Sequence, residues 1–268
     1  MLNTVLILGS APDAVHSRLW QREVFSSIVA INNAWRVRED WDYLVHADDF
    51  PDGRLPSTIP RCSAIVKSTE FVPAQNWFGG FVYAGGTMAF TAAYWALKTL
   101  KPDILAFAGC DMIYAPDGPT HFYGKGSPDP LRDDVTLRNL EAKSCRLFQY
   151  ALREGTLCLN LSQLPESRLA IPRSSLDLFQ KMTVRRLEAM KTMSRAATDA
   201  TSVKRAEALE SQLAYFVENG RYWEHIADFD AAKLGELDDL WLSSAIRLPR
   251  SVDPSQGCWR REVVSQAA

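Results

Sequence analysis

Six short apolar runs in the first 161 residues constrain the fold of this chain more than any other feature. Each is rich in Val, Ile or Leu and stops at a glycine or a small polar residue, which is typical of strands buried on both faces of a parallel sheet. The runs are residues 4–8, 27–31, 43–47, 62–67, 104–108 and 157–161. Their alternation with helical patterns predicts a doubly wound, mainly parallel α/β sheet of the Rossmann type.

The segments between the later runs predict helices of different character. Residues 87–100 are apolar on nearly every side and predict a largely buried helix. Residues 134–154 predict a second helix, which Gly155 would end. Between the fourth run and the first of these helices, residues 71–83 combine five aromatic residues with Gly79 and Gly80. This density suggests a loop that packs on a surface or covers a site, and the alternative is that the aromatic residues simply belong to the core.

After Pro172 the strand signals give way to three helical patterns at residues 174–195, 202–218 and 228–246. We therefore predict a nucleotide-binding catalytic domain over residues 1–172, a helical accessory region over 173–250 and a loosely ordered tail over 251–268. The helix at 174–195 is basic and amphipathic, a pattern that fits packing on its own domain or contact with a membrane or an acidic partner. An oligomer interface in this region also stays open.

Charge and cysteine usage narrow the functional classes. The formal net charge of -2 argues against a nucleic-acid partner, because phosphate binding requires clustered positive charge. The five cysteines are scattered without CxxC spacing, which predicts reduced thiols in a cytoplasmic protein. No apolar run is long enough to span a membrane, and the apolar N-terminus is too short for a signal peptide. We expect a cytoplasmic protein, with peripheral contact at the inner membrane left open.

Small and polar residues follow the predicted strands where a Rossmann-like sheet binds its ligands. The carboxyl ends of parallel strands meet at one edge of the sheet, and a helix that begins there offers free N–H groups to an anion. The expected nucleotide-binding residues at this edge are Gly9, Ser10, Ala11, Pro12, Asn32, Asn33, Gly85, Gly86, Thr87, Gly109 and Asp111.

A polar, glycine-rich loop after the fifth run contains the residues best suited to catalysis. His121 titrates near neutral pH and can take a proton from a hydroxyl nucleophile. Tyr114 and Tyr123 offer phenolic donors to a departing phosphate. The alternative is that Asp111 caps the loop while His121 and the tyrosines only pack it. Asp48 and Asp49 make a magnesium site a second alternative. The chain has no GxSxG, Walker A, HExxH or GxGxxG motif.

The order of these motifs resembles that of a known enzyme group. The motifs are GSAP, AINNAW, GGT, AFAGCDMIY, THFYG and CLNLS, in that order along the chain. Together they resemble the bacterial sialyltransferases of glycosyltransferase family 42, over roughly the first two thirds of the chain. They are also similar to the related domain of archaeal 6-hydroxymethylpterin diphosphokinase-like proteins.

The sialyltransferase resemblance implies a role for each matching residue. Residues 9–12 and Asn32 would line the nucleotide, with Gly86, Thr87, Gly109 and Asp111 beside them. His121, in the sequence HFYG, would be the general base on an acceptor hydroxyl, and a tyrosine pair would stabilise the departing CMP phosphate. The reaction would be inverting and metal-independent, would need no cofactor, and would use a CMP-linked or other nucleotide-linked sugar with a glycan or lipid-linked acceptor.

Two other functions stay open. The diphosphokinase resemblance implies transfer from ATP with magnesium near Asp48, Asp49 or Asp111. A nucleotide-binding or interaction module without turnover would instead use the helical region to engage a partner.

Overall fold

The computed structural model describes residues 1–114, 117–126 and 133–248, together with the backbone of 251–253 and 258–260. Six parallel strands form its central sheet in the order β4-β3-β2-β1-β5-β6. The strands are β1 (Thr4–Leu8), β2 (Ser27–Ile31), β3 (Tyr43–Val45), β4 (Ala64–Val66), β5 (Ile104–Ala108) and β6 (Leu157–Asn160). The predicted α/β fold is therefore confirmed, although β3, β4 and β6 are shorter than their apolar runs.

The order in which strands are added to the sheet changes direction at β1, which pairs with β2 on one side and β5 on the other. Leu8 is level with Ala30 of β2 and with Ala108 of β5, so the three strands reach the carboxyl edge together. Crossovers between parallel strands are right-handed, so the connections from β1 to β2 and from β5 to β6, which run in opposite directions along the sheet, lie on opposite faces. The gap beyond β1 and β5 is the topological switch point, where sheets of this class bind ligands.

Among the described residues, eight α-helices pack around the sheet or follow it in the chain. They are α1 (Ser68–Trp77), α2 (Phe81–Ala84), α3 (Met88–Thr99), α4 (Leu140–Arg153), α5 (Leu176–Gln180), α6 (Val184–Ala197), α7 (Ala200–Leu213) and α8 (Ala231–Ser244). Short 3₁₀ helices cover residues 12–19, 22–24, 32–36, 52–54, 135–137 and 222–228. Side chains of Thr87, Asn139, Ser175, Thr183, Asp199 and Asp230 accept backbone N–H bonds as N-caps of α3 to α8.

Three predictions of local structure need correction. The aromatic segment 71–83 is not one loop, since all of it except residues 78–80 belongs to α1 and α2, and the burial of Phe71, Phe78 and Phe81 confirms the core alternative. The pattern at 174–195 is interrupted because the Thr183 side chain accepts a hydrogen bond from Arg186 N and starts a new helix. The helix predicted from residue 134 begins at Leu140, after Asn139 caps it.

The C-terminal helices pack on α4 and share the core of the sheet. Trp241 of α8 is fully buried, and the buried apolar residues of α6, α7 and α8 belong to the same hydrophobic cluster as the strands. Leu187 and Met190 on the basic helix α6 are buried in that cluster. Of the tail predicted as loosely ordered, the structure describes only an antiparallel pair of strands, β7 (Ser251–Asp253) and β8 (Cys258–Arg260). The other residues of 251–268 lie outside the described part of the chain.

Within the described residues, no helix has both the length and the apolar character needed to cross a membrane.

Candidate functional site

A cavity of about 230 Å³ opens at the carboxyl edge of the sheet, beyond β1, β2 and β5. We call it the switch-point cavity. The predicted site residues that line it are Gly9, Ser10, Ala11, Asn32, Asn33, Asp49, Thr87, Gly109, Tyr114, His121 and Tyr123. The predicted residues that do not line it are Pro12, Asp48, Gly85, Gly86 and Asp111. The fold thus brings the three expected catalytic side chains to the same cavity as most of the expected nucleotide-binding residues.

Gly9 and Gly109 let the ends of β1 and β5 approach each other closely. A Cβ on Gly9 would lie 2.2 Å from the carbonyl oxygen of Gly109, and a Cβ on Gly109 would lie 2.7 Å from the Cβ of Ala14. Gly109 also has a φ of +66°, in the region that favours glycine. Both glycines are required by the packing of the strand ends beneath the cavity, in addition to any approach by a ligand.

Asn32 presents a polar side chain to the cavity from a left-handed backbone conformation. Its φ is +50°, which asparagine tolerates better than most residues. Its Oδ1 is buried and has no hydrogen-bond partner among the described residues. A buried acceptor of this kind is costly unless a partner donates to it, so a ligand hydroxyl or amino group at this position would gain a hydrogen bond.

The N-terminus of α3 also faces the switch-point cavity. Thr87 caps the helix by accepting from Phe90 N at 3.3 Å, and Met88 and Ala89 of the first turn line the cavity. The N–H groups of the first turn of a helix have no intrahelical acceptor, and the helix dipole makes this end attractive to an anion. This end of α3 is suited to a phosphate.

His121 lies between the two tyrosines that the sequence suggested. Its ring stacks on Tyr123 with the centroids 4.9 Å apart, and it lies 6.0 Å from the ring of Tyr114. Burial lowers the pKa of His121 below its usual value of 6.5. The neutral imidazole, which can accept a proton, is therefore the favoured form at neutral pH.

The Thr120 side chain contacts the Nδ1 edge of the imidazole ring. Its Oγ1 is 2.9 Å from His121 Nδ1, accepts from Gly126 N at 3.0 Å, and lies 3.5 Å from Gly126 O. If the hydroxyl hydrogen of Thr120 is donated to Gly126 O, Oγ1 accepts from Nδ1–H. That arrangement leaves Nε2 as the basic nitrogen of the ring.

Backbone hydrogen bonds fix the loop of His121 against β1. His121 and Gly124 exchange two backbone hydrogen bonds of 3.0 Å, which close a tight turn, and Gly124 has a φ of +118°. Phe122 N donates to Ser10 O at 3.0 Å. The loop that carries the candidate base is thereby joined to the loop that follows the first strand.

Asp111 points away from the switch-point cavity into the interior. It is 1% exposed, and its Oδ1 accepts from Asn160 Nδ2 at 3.2 Å. Burial raises the pKa of Asp111, against the opposing effect of hydrogen bonds from Ser167, Ser162 and Asn160. Its backbone carbonyl accepts from Arg168 N at 2.9 Å. The contacts of this residue connect the end of β5 to the segment after β6.

Gly85 and Gly86 lie just before the start of α3 and pack against neighbouring parts of the chain. Gly85 has a φ of +89° and accepts from Gln75 Nε2 at 3.0 Å. A Cβ on Gly86 would lie 2.3 Å from the hydroxyl of Tyr222, so the C-terminal region packs directly on this glycine. Gly85 and Gly86 do not line the switch-point cavity because they pack against these neighbouring segments.

The aspartates proposed as an alternative metal site are divided between two spaces. Asp49 lines the switch-point cavity and also a neighbouring cavity, which Asp48 lines too, whereas Asp111 lines neither. Among the described residues, no group of three or more His, Cys, Asp or Glu is placed to hold a metal ion.

Sequence reasoning missed part of the wall formed by the segment after β3. Phe50, Pro51 and Arg54 line the switch-point cavity, although the stretch from residue 52 to 60 reads as a Pro-rich connection. Arg54 is exposed and provides the only guanidinium among the described lining residues. The available signal was an arginine shortly after a predicted strand end, which is weak without the fold.

Cys110 and Met112 line the floor of the switch-point cavity, and burial raises the pKa of the Cys110 thiol, which disfavours the thiolate.

Comparisons of the chain with protein-family models, with curated proteins and with solved structures found no match.

Proposed function

We propose that this protein is a glycosyltransferase that moves a sugar from a nucleotide-linked donor, such as a CMP-sugar of the sialic acid type, to a glycan or lipid-linked acceptor. The observation that carries the proposal is the position of His121. A half-buried imidazole with a lowered pKa faces the same cavity as the switch point of the sheet and the N-terminus of α3. A nucleotide site and a general base therefore share one space.

The reaction needs no group beyond those of the chain and its two substrates. The acceptor oxygen attacks the anomeric carbon of the donor sugar while His121 Nε2 takes the acceptor proton. The bond between the anomeric carbon and the phosphate oxygen breaks, and its electron pair leaves with the nucleotide. Tyr114 and Tyr123 donate to the phosphate, and the first turn of α3 and Arg54 stabilise its charge. Direct displacement inverts the anomeric configuration.

The surroundings of the site support a reducing, cytoplasmic setting for this chemistry. Cys110 and Cys158 are buried free thiols, and the scattered spacing of the cysteines predicts reduced thiols in a cytoplasmic protein. Contact with the inner membrane and association with further copies of the chain stay predictions.

Replacement of the proposed base tests the function. We expect His121→Ala to lower the rate of sugar transfer by about 10²- to 10⁴-fold, because proton transfer by a positioned side chain contributes that much. His225→Ala is the matched control, since His225 is exposed and does not line the cavity. Full transfer activity in His121→Ala would overturn the proposal.

Ligand binding separates the proposal from its alternatives before an acceptor is known. CMP without magnesium should raise the thermal unfolding midpoint of the wild-type chain and of His121→Ala alike, because a ligand stabilises the state that binds it. Stabilisation by ATP only with magnesium, lost in Asp49→Asn, would favour diphosphokinase-type transfer instead. No stabilisation by any nucleotide would favour an interaction module.

A further inference from the structure

A second cavity, of about 800 Å³, adjoins the switch-point cavity. Ala47, Asp49 and Met88 line both spaces, so the two cavities meet at the end of β3 and the start of α3. We call it the side cavity. A transferase must place two substrates next to each other, and a second space that borders the proposed donor site is suited to the acceptor.

The helical region supplies one wall of the side cavity. Residues 219–224 line it opposite α1 and α2, and this wall is held at several points. Asn76 Nδ2 donates to Glu218 O at 2.7 Å, and Tyr222 OH donates to a buried carboxylate oxygen of Asp134 at 2.9 Å. Gly220, with a φ of +76°, lies so close to α1 and α2 that a Cβ would be 3.1 Å from Phe81 and Val72.

Trp223, supported by the buried rings of Tyr222 and Phe81, gives this wall an exposed aromatic surface that suits a sugar. Phe81 stacks on Tyr222 with the centroids 5.9 Å apart, and Tyr222 meets Trp223 edge to face at 5.5 Å. Trp223 remains 57% exposed although it lines the cavity. The C–H faces of a pyranose ring pack on aromatic rings of this kind, while its hydroxyls need polar partners at the rim.

The charges around the side cavity select among sugars. The charged side chains that line it, among the described residues, are three carboxylates and one guanidinium, from Asp48, Asp49, Glu224 and Arg221. Arg221 Nη1 lies 3.3 Å from Glu224 Oε1, which satisfies the single cation. Carboxylates accept hydrogen bonds from hydroxyl groups and repel an anionic ligand.

We infer that the side cavity is the acceptor subsite and binds a neutral sugar ring, stacked on Trp223 of the C-terminal wall. This inference rests on the proposed transfer function and extends it. It gives the helical region a direct part in substrate binding, because residues 219–224 belong to that region.

Binding of simple glycosides to the full chain tests the inference. The probes are the methyl glycosides of glucose, galactose and N-acetylglucosamine, with methyl glucuronide as the anionic counterpart, followed by saturation-transfer NMR and titration calorimetry. We expect a neutral glycoside to bind, with Trp223→Ala weakening it about tenfold, the upper range for one aromatic contact. Trp223→Phe should restore part of the affinity.

Trp77→Ala is the matched control. Trp77 is similarly exposed, at 66%, and lines neither cavity, so its removal should leave glycoside affinity unchanged. Three results would overturn the inference: no binding of any neutral glycoside, equal binding by Trp223→Ala and the wild type, or glucuronide binding as tight as that of the neutral probes.

Parallel CMP titrations distinguish this failure from failure of the proposed function. CMP binding by wild type and Trp223→Ala, without glycoside binding by either, overturns the sugar subsite and leaves the donor site standing. Glycoside binding that depends on Trp223 in a chain that binds no nucleotide supports the sugar subsite and overturns the transfer reaction.

Discussion

At the scale of single residues, the protonation state of His121 decides whether the cavity can perform base catalysis. Burial lowers the pKa of His121 by disfavouring the imidazolium. The side chains of Thr120, Tyr114 and Tyr123, which lie against the ring, are not carboxylates and do not offset this effect. The folded-state pKa is therefore below 6.5, and the unfolded chain takes up the proton first as the pH falls. His121 thus makes the fold lose stability as the pH falls from 6.5 towards the folded-state pKa.

We expect His121 to titrate below 6.5 and transfer activity to be level above that pH and to decline on the acid side. NMR titration of the four histidines, assigned with single His→Gln variants, measures the pKa directly. The same residue in the urea-unfolded chain serves as the reference for an unburied imidazole. A pKa of His121 above its value in the unfolded chain would contradict the expected effect of burial.

At the scale of elements, the junction of β1 and β5 supports the switch-point cavity. Gly9 N donates to Ala108 O at 2.8 Å, and Ala11 N donates to Gly109 O at 3.0 Å, so the loops after both strands continue the contact of the strands themselves. The close approach of the two loops beneath the cavity depends on the absence of a side chain at Gly9.

We expect Gly9→Ala to lower the free energy of unfolding by about 1–3 kcal/mol or more, because its Cβ would overlap the backbone oxygen of Gly109, which cannot move independently. Urea denaturation followed by tryptophan fluorescence measures the change. Gly235→Ala in α8 is the control, since its Cβ would meet nothing within 4 Å and alanine favours a helix by about 0.5–1 kcal/mol. Equal effects of the two substitutions would contradict the packing explanation.

The sequence predicted elements where a local pattern and the tertiary environment agree. The apolar runs of β1 and β5 are buried along their whole length, and Thr87 caps α3 where the Gly-Gly-Thr motif predicted a helix start. It failed at residues 71–83, where the density of aromatic residues around two glycines suggested a loop, but buried aromatic side chains stabilise helices on either side of Gly79 and Gly80.

The sequence also predicted some residues of the candidate site and missed or misplaced others. Residues directly after β1, β2 and β5 reach the cavity because strand topology alone brings them there. The inward turn of Asp111 depends on Asn160, which is distant in sequence, and the cavity position of Arg54 depends on the path of a loop. No local pattern reports either contact.

At the scale of the whole molecule, buried ion pairs join the helical region to the α/β layer. Arg146 of α4 is fully buried and donates through Nε and Nη2 to Glu210 of α7, at 2.8 Å each. Glu210 also accepts from the indole N–H of Trp241 at 2.9 Å. Lys143 pairs with Asp238 of α8 at 3.0 Å in the same layer. These contacts, and the common apolar core, predict that the two regions unfold together.

We expect Glu210→Ala to lower the free energy of unfolding by about 3–5 kcal/mol, because it leaves the Arg146 guanidinium buried without its counter-charge. Glu210→Gln should cost less, since an amide oxygen still accepts from Trp241. The matched control is Glu207→Ala, one turn earlier on α7, which removes an exposed pair with Arg153 and should change stability by about 0–1 kcal/mol. Far-UV circular dichroism and tryptophan fluorescence during urea denaturation should report one coincident transition in each variant. Two separate transitions in Glu210→Ala would contradict the shared core, because they would mean that the helical region unfolds while the sheet remains intact.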